Sequence, residues 1–118
     1  MNVKKIVWLL LIFFALSANA MAGKIPSCKN GVVPSSEKDD LRNARVEAVA
    51  GRGTVFNNNE GILPALSLNE IYREYDLGVP RIGGRGAHRA VLLVLGGSKL
   101  KVLAQYYTDS HYRSFCQL

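Results

Sequence analysis

The chain has 118 residues, a formal net charge of +6, 48% hydrophobic and 20% charged residues, and only two cysteines and two histidines. That length supports one domain with one core, and the sequence carries no internal repeat or low-complexity segment. The basic balance favours polyanionic partners without naming one. A structural metal site is disfavoured, because there is neither a Cys-x-x-Cys pair nor a histidine pair at ligand spacing.

Lys4-Lys5, the apolar run Ile6 to Leu16 and the small-x-small step Ala18-Asn19-Ala20 read as a signal peptide over residues 1–20, cleaved after Ala20 or Ala22. The run is about eleven residues long, against roughly 18 needed to span a bilayer. Residues 21–118 are then one secreted or periplasmic domain, with no membrane association after cleavage. Loss of Lys4 and Lys5 lowers the charge from +6 to +4. Cys28 and Cys116 stand near the two ends of that domain, and export favours a bridge between them. It closes a loop of roughly 90 residues and is worth up to about 4 kcal/mol in the chain-entropy account.

Ser35 or Ser36 can cap a helix over about 36–50, with Glu37, Asp39 and Asp40 in its first turn and Leu41, Ala44, Ala48 and Val49 as its apolar stripe. Gly51 and Gly53 end it. Thr54 to Phe56 is a short strand, Asn57 to Gly61 a turn, and Glu70 to Asp76 a second strand. Val79 to Gly86 is a loop, Ala90 to Leu95 a buried strand, Gly96-Gly97-Ser98 a hairpin turn and Leu100 to Tyr106 its partner strand. Tyr112 to Cys116 reads as a last short strand. One helix followed by strands predicts an α+β domain, the helix packed on an antiparallel sheet of four to five strands.

Breaking an RNA phosphodiester with its own 2′-hydroxyl needs a base, an acid and cations for the charge that builds on the phosphate. Glu74 can be the base and His111 the acid, while Arg85 and Arg89 offer planar guanidiniums to phosphate oxygens. Each has a plainer reading. Glu70 and Asp76 share the strand parity of Glu74, so the pattern does not single it out. His111 reads as a turn histidine, and His88 as a solvated side chain between arginines. Arg81, Arg85 and Arg89 read as a soluble loop, and Asn57-Asn58-Asn59 as a turn. Composition and spacing alone stop at a secreted basic α+β domain.

Four blocks in order take the reading further: Phe-Asn-Asn-Asn-Glu-Gly-Ile-Leu-Pro from Phe56, Tyr72-Arg73-Glu74-Tyr75-Asp76, Gly84-Arg85-Gly86-Ala87-His88-Arg89, and Tyr107-Thr108-Asp109-Ser110-His111-Tyr112-Arg113-Ser114-Phe115. Together they resemble the microbial guanyl-specific ribonucleases of the barnase group. The placement of Cys28 and Cys116 near the N- and C-terminal ends of the domain resembles that of the disulfide-containing streptomycete-type members. The resemblance covers about Thr54 to Phe115 and implies the microbial ribonuclease fold. It implies Glu74 as general base, His111 as general acid, and Arg85 and Arg89, with Arg73, around the phosphate. It also implies Tyr112 beside the phosphate, Glu60 on the Watson–Crick edge of guanine, backbone amides of Asn57, Asn58 and Asn59 on the guanine carbonyl, and Phe56 near the base. Single-stranded, guanine-containing RNA is then the substrate, with no cofactor and no metal. The expected protein is a monomer, and an acidic, barstar-like inhibitor is an expected partner.

Two other readings compete. A catalytically weak RNA-binding or partner-binding protein on the same scaffold has no physical need for Glu74, Arg85, Arg89 and His111 together. A membrane-active cationic protein needs a basic amphipathic helix, whereas the expected helix carries Glu37, Asp39, Asp40 and Glu47.

Overall fold

The computed structural model describes residues 24–78 and 86–118. The expected leader, and Arg81 and Arg85 with most of their loop, lie outside the described residues. Past Pro34 the chain makes one 3-10 turn, Ser35–Glu37, and then helix α1, Lys38–Val49. The expected serine cap does not form: Pro34 precedes the turn, Glu37 precedes the helix, and neither makes a side-chain cap bond. Glu37 turns inward instead, is 5% exposed, and meets His88 Nδ1 at 2.8 Å while the Tyr107 hydroxyl donates to it at 3.4 Å. Asp39 and Asp40 do occupy the first turn of α1, where the helix dipole favours acids.

Leu41, Ala44 and Ala48 are buried, but Val49 is 51% exposed. Eight positions on from Leu41, Val49 lies ~80° round the helix and off the stripe. Gly51 and Gly53 then turn the chain at φ of 75° and 116°. A Cβ at Gly53 would come within 2.6 Å of the Tyr75 ring, whose hydroxyl donates to the Arg52 carbonyl at 2.7 Å. Only glycine suits both the angle and the approach.

Strands β1 (Thr54–Val55), β2 (Glu70–Asp76), β3 (Arg89–Leu95), β4 (Lys101–Thr108) and β5 (Cys116–Gln117) form one sheet in sequence order. Every neighbouring pair is antiparallel. This is the expected α+β architecture with five strands. Of the expected strand Tyr112 to Cys116, only Cys116 pairs, because the residues before it are used in a turn.

The two-residue period of the strands sorts the side chains onto two faces. One face presents Ile71, Tyr75, Ala90, Leu92, Val94 and Tyr107 to Leu41, Ala44 and Ala48 of α1. The other gathers Tyr72, Val91 and Tyr106 under Leu63 and Phe115, with Phe56 and Tyr112 packed against them. No helix covers this second face among the described residues. The Cys28–Cys116 disulfide closes the domain, its Cα atoms 4.8 Å apart and its cysteines separated by 88 in sequence. Beside it the Cys28 N–H donates to the Gln117 carbonyl at 2.8 Å, and the Gln117 N–H to the Pro26 carbonyl at 2.7 Å.

Candidate active site

Glu74 pairs with Val91 on one side and Thr54 on the other, which fixes its height in the sheet. Its parity is that of buried Tyr72, so it points to the open face and stays half-buried there. The Tyr112 hydroxyl donates to Glu74 Oε2 at 2.8 Å. The Tyr112 ring stacks on Phe56 at 5.2 Å and lies 4.9 Å from the His111 ring and 6.0 Å from the Arg89 guanidinium. A phenol thus joins the carboxylate, the exposed imidazole, a cation and Phe56, at the head of the expected base-binding loop, into one cluster.

The turn that carries His111 is backbone in an uncommon conformation. His111 and Tyr112 have φ of 54° and 70°. Two successive non-glycine residues there cost about 1–3 kcal/mol each and need support from their surroundings. Thr108 supplies it. Its hydroxyl, on a residue 1% exposed, accepts the N–H of Tyr112 at 3.2 Å and of Ser110 at 3.3 Å. The Ser110 hydroxyl in turn accepts the Ser114 N–H at 3.0 Å. Sequence reasoning assigned no role to Thr108 or Ser110. The available signal was their type, since these hydroxyls take backbone N–H groups a few residues on.

Arg89 is 1% exposed. Its Nη1 donates to the His88 carbonyl at 2.9 Å and also to the Gly86 carbonyl. Its Nε forms an ion pair with Asp76 Oδ1 at 2.8 Å and makes no hydrogen bond among the described residues. The guanidinium is therefore fixed as a positive charge, with one buried donor that a suitably placed oxygen could satisfy.

The base-loop candidates divide. Phe56 is held by its N–H to the Tyr72 carbonyl at 2.9 Å and reaches Tyr112. Asn58 adopts φ of 53°; its side chain donates to the Leu63 carbonyl at 2.8 Å and accepts the Leu63 N–H at 3.1 Å. The Gly61 N–H donates to the Asn58 carbonyl at 2.9 Å. The Asn58 amide thus clasps the loop shut, and Asn57, Asn59 and Glu60 are left exposed on it.

Arg73 does not join the cluster. It alternates with Glu74, and its guanidinium donates to the Gly53 carbonyl at 2.7 Å, tying β2 to the start of β1. His88 is not the solvated side chain expected: it pairs with Glu37 and lies 3.1 Å from the Tyr107 hydroxyl, on the helix side. Burial, then neighbouring Tyr106, pushes the Tyr72 hydroxyl up to about 12, and burial likewise raises Tyr106. These phenols stay neutral, and Tyr72 donates to the Pro64 carbonyl at 2.7 Å beneath the base loop. Among the described residues no group of three His, Cys, Asp or Glu is placed to hold a metal ion.

A sequence profile of the ribonuclease family matches residues 16–118. The chain is 43% identical over 63 residues to guanyl-specific ribonuclease St of Saccharopolyspora erythraea, covering 53% of this chain and 54% of that protein. It is 41% identical over 63 residues to guanyl-specific ribonuclease Sa3 of Kitasatospora aureofaciens, covering 53% and 40%. The matched stretch therefore spans about half the length of these relatives, or less.

Proposed function

The chain belongs to the ribonuclease family, and on that premise we propose that it is an exported, metal-independent endoribonuclease cleaving RNA 3′ of guanosine. The observation that carries the reading is the hydrogen bond from Tyr112 to Glu74, with His111 and Arg89 gathered around the same phenol ring. A carboxylate, an imidazole and a cation are the parts that transphosphorylation uses.

In the proposed reaction Glu74 removes the 2′-hydroxyl proton and the oxygen attacks phosphorus in line. Protonated His111 delivers a proton to the departing 5′-oxygen, leaving a 2′,3′-cyclic phosphate. The roles then reverse: His111 takes a proton from water, Glu74 returns its proton to the 2′-oxygen, and a 3′-phosphate results. Arg89, with Arg85, opposes the charge that grows on the phosphate oxygens. Tyr112 hands its hydroxyl from Glu74 to the phosphate as the substrate arrives. RNA is chosen over DNA because the nucleophile is the 2′-hydroxyl itself.

Guanine preference falls to exposed Glu60, one carboxylate accepting two adjacent N–H donors of the base, with backbone amides of the clasped Asn57 to Asn59 loop on its carbonyl. Two relatives named as guanyl-specific support a guanine preference. The Cys28–Cys116 bridge supports export, since such bridges persist in oxidising compartments. The net charge, +6 for the whole chain and +4 without Lys4 and Lys5, suits an acidic protein inhibitor as partner.

The test is cleavage of GpN, ApN, CpN and UpN dinucleoside phosphates in EDTA by the folded protein, with Glu74→Gln and His111→Ala alongside. Rapid GpN cleavage lost in both variants is expected. Equal rates on all four would remove the Glu60 assignment, and no cleavage would remove the enzyme reading.

A further inference from the structure

The helix face keeps one polar cluster that the reaction above does not use. Glu37 ends the 3-10 turn ahead of α1 and is buried. A carboxylate taken out of water needs a counter-charge or a set of donors. Among the described residues its one ion-pairing partner is His88, whose Nδ1 lies 2.8 Å from Oε2, while the Tyr107 hydroxyl donates to Oε1 at 3.4 Å. An imidazole with its proton on Nδ1, neutral or charged, donates to that carboxylate. The cluster is also packed against the end of β2. A Cβ at Gly78 would stand 3.5 Å from Glu37 Cγ, and the Gly78 N–H donates to Asp40 Oδ2 at 2.8 Å.

Strand parity shows what the cluster backs onto. His88 immediately precedes Arg89, Tyr107 immediately precedes Thr108, and Arg89 and Thr108 are register partners in β3 and β4. Two adjoining lengths of main chain therefore carry His88 and Tyr107 toward the helix side. One residue on, they carry the buried guanidinium and the hydroxyl that supports the His111 turn. The link to Arg89 is direct. The His88 carbonyl accepts the Leu77 N–H at 3.2 Å and Arg89 Nη1 at 2.9 Å, so both of its lone pairs are engaged. A shift of the His88 main chain would move an acceptor of the guanidinium. Arg89 is buried and depends on protein acceptors of this kind for its position.

We propose that His88 is a positioning residue for Arg89: its imidazole, anchored on Glu37 and Tyr107 behind the sheet, fixes the main-chain carbonyl that aims the guanidinium at the phosphate. The inference rests on the ribonuclease reading, in which Arg89 opposes the charge that grows on the phosphate oxygens. Displacing a group of that kind by about 1 Å costs on the order of 100-fold in rate.

The test is GpU cleavage per folded molecule, the folded fraction taken from near-UV circular dichroism. His88→Leu should lower kcat and kcat/KM equally, by about 10- to 100-fold, as for an interaction lost in the transition state. His88→Asn, whose side-chain N–H can stand where Nδ1 stands, should restore most of the rate. In an Arg89→Ala background His88→Leu should cost nothing further, because its effect runs through the guanidinium. Wild-type kcat in His88→Leu, a His88→Asn variant no better than His88→Leu, or the same loss with and without Arg89 overturns the positioning role and leaves the enzyme reading standing. If His88→Leu strands the Glu37 carboxylate and does not fold, Glu37→Leu/His88→Leu removes both partners, an exchange that buried pairs often tolerate, and must show the same loss. Failure of wild type to cleave GpU counts against the enzyme reading instead. Positioning is then decided by calorimetric titration with inorganic phosphate: wild type and His88→Asn must bind it more tightly than His88→Leu, and equal affinities overturn the proposal.

Discussion

The two faces of the sheet are built from alternate residues of the same strands and are organised differently. The helix face is aliphatic: Leu41, Ala44, Ala48, Ala90, Leu92 and Val94 close-pack there. Its polar insert, Glu37 with His88 and Tyr107, is satisfied internally. The open face is aromatic, with Phe56, Tyr72, Tyr106, Tyr112 and Phe115 in edge and stacked contact. Its polar groups gather around one phenol at graded depth: Arg89 buried, Glu74 half-buried under the Tyr112 hydroxyl, and His111 exposed. One face holds the fold, and the other carries backbone strain, at His111 and Tyr112, where the proposed chemistry lies.

Substitutions on the two faces should therefore separate activity from stability. Glu74→Gln should lower kcat/KM on GpU by about 10²–10⁴ with an unchanged unfolding midpoint in urea, because the amide still accepts the Tyr112 hydroxyl. Leu92→Ala, at 0% exposure on the helix face, should cost about 2–5 kcal/mol in urea unfolding while the folded fraction keeps its kcat. Thr108→Val sits at the seam. It should cost about 1–3 kcal/mol and lower kcat as well, because the N–H groups of Ser110 and Tyr112 lose their acceptor. A Thr108→Val variant with full activity would dissociate the turn from catalysis.

The smallest effect concerns alkaline pH and both faces together. Burial raises the hydroxyls of Tyr72 and Tyr106 on the open face, and of Tyr75 and Tyr107 on the helix face, above the ordinary value of 10.0. The unfolded chain then gives up these protons first, so stability is full below pH 10 and falls as pH rises toward 12. Urea midpoints measured from pH 8 to 11.5 should decline above pH 10, and Tyr72→Phe should flatten that decline.

Much of this was legible in the sequence, because local periodicity carried it. Glu70–Asp76 was read at its true bounds from strand alternation, and Leu41, Ala44 and Ala48 from helical spacing. The parity rule also places Arg73 on the face opposite Glu74, where its guanidinium donates to the Gly53 carbonyl. What escaped was non-local or conformational. Glu37 meets His88 across 51 positions, and nothing near either residue announces the pair. The strand expected from Tyr112 gave way to a turn because the Thr108 and Ser110 hydroxyls hold the left-handed pair. The motif blocks pointed to the residues of the cluster, and folding supplied what joins them, the Tyr112 ring.

The central claim is that the open face performs transphosphorylation, and phosphorus NMR of GpU cleavage in EDTA tests it most directly. The account predicts that a 2′,3′-cyclic guanosine phosphate resonance appears first and gives way to the 3′-phosphate, with neither forming in Glu74→Gln or His111→Ala. A 5′-phosphate product, or a 3′-phosphate formed without the cyclic intermediate, would contradict it.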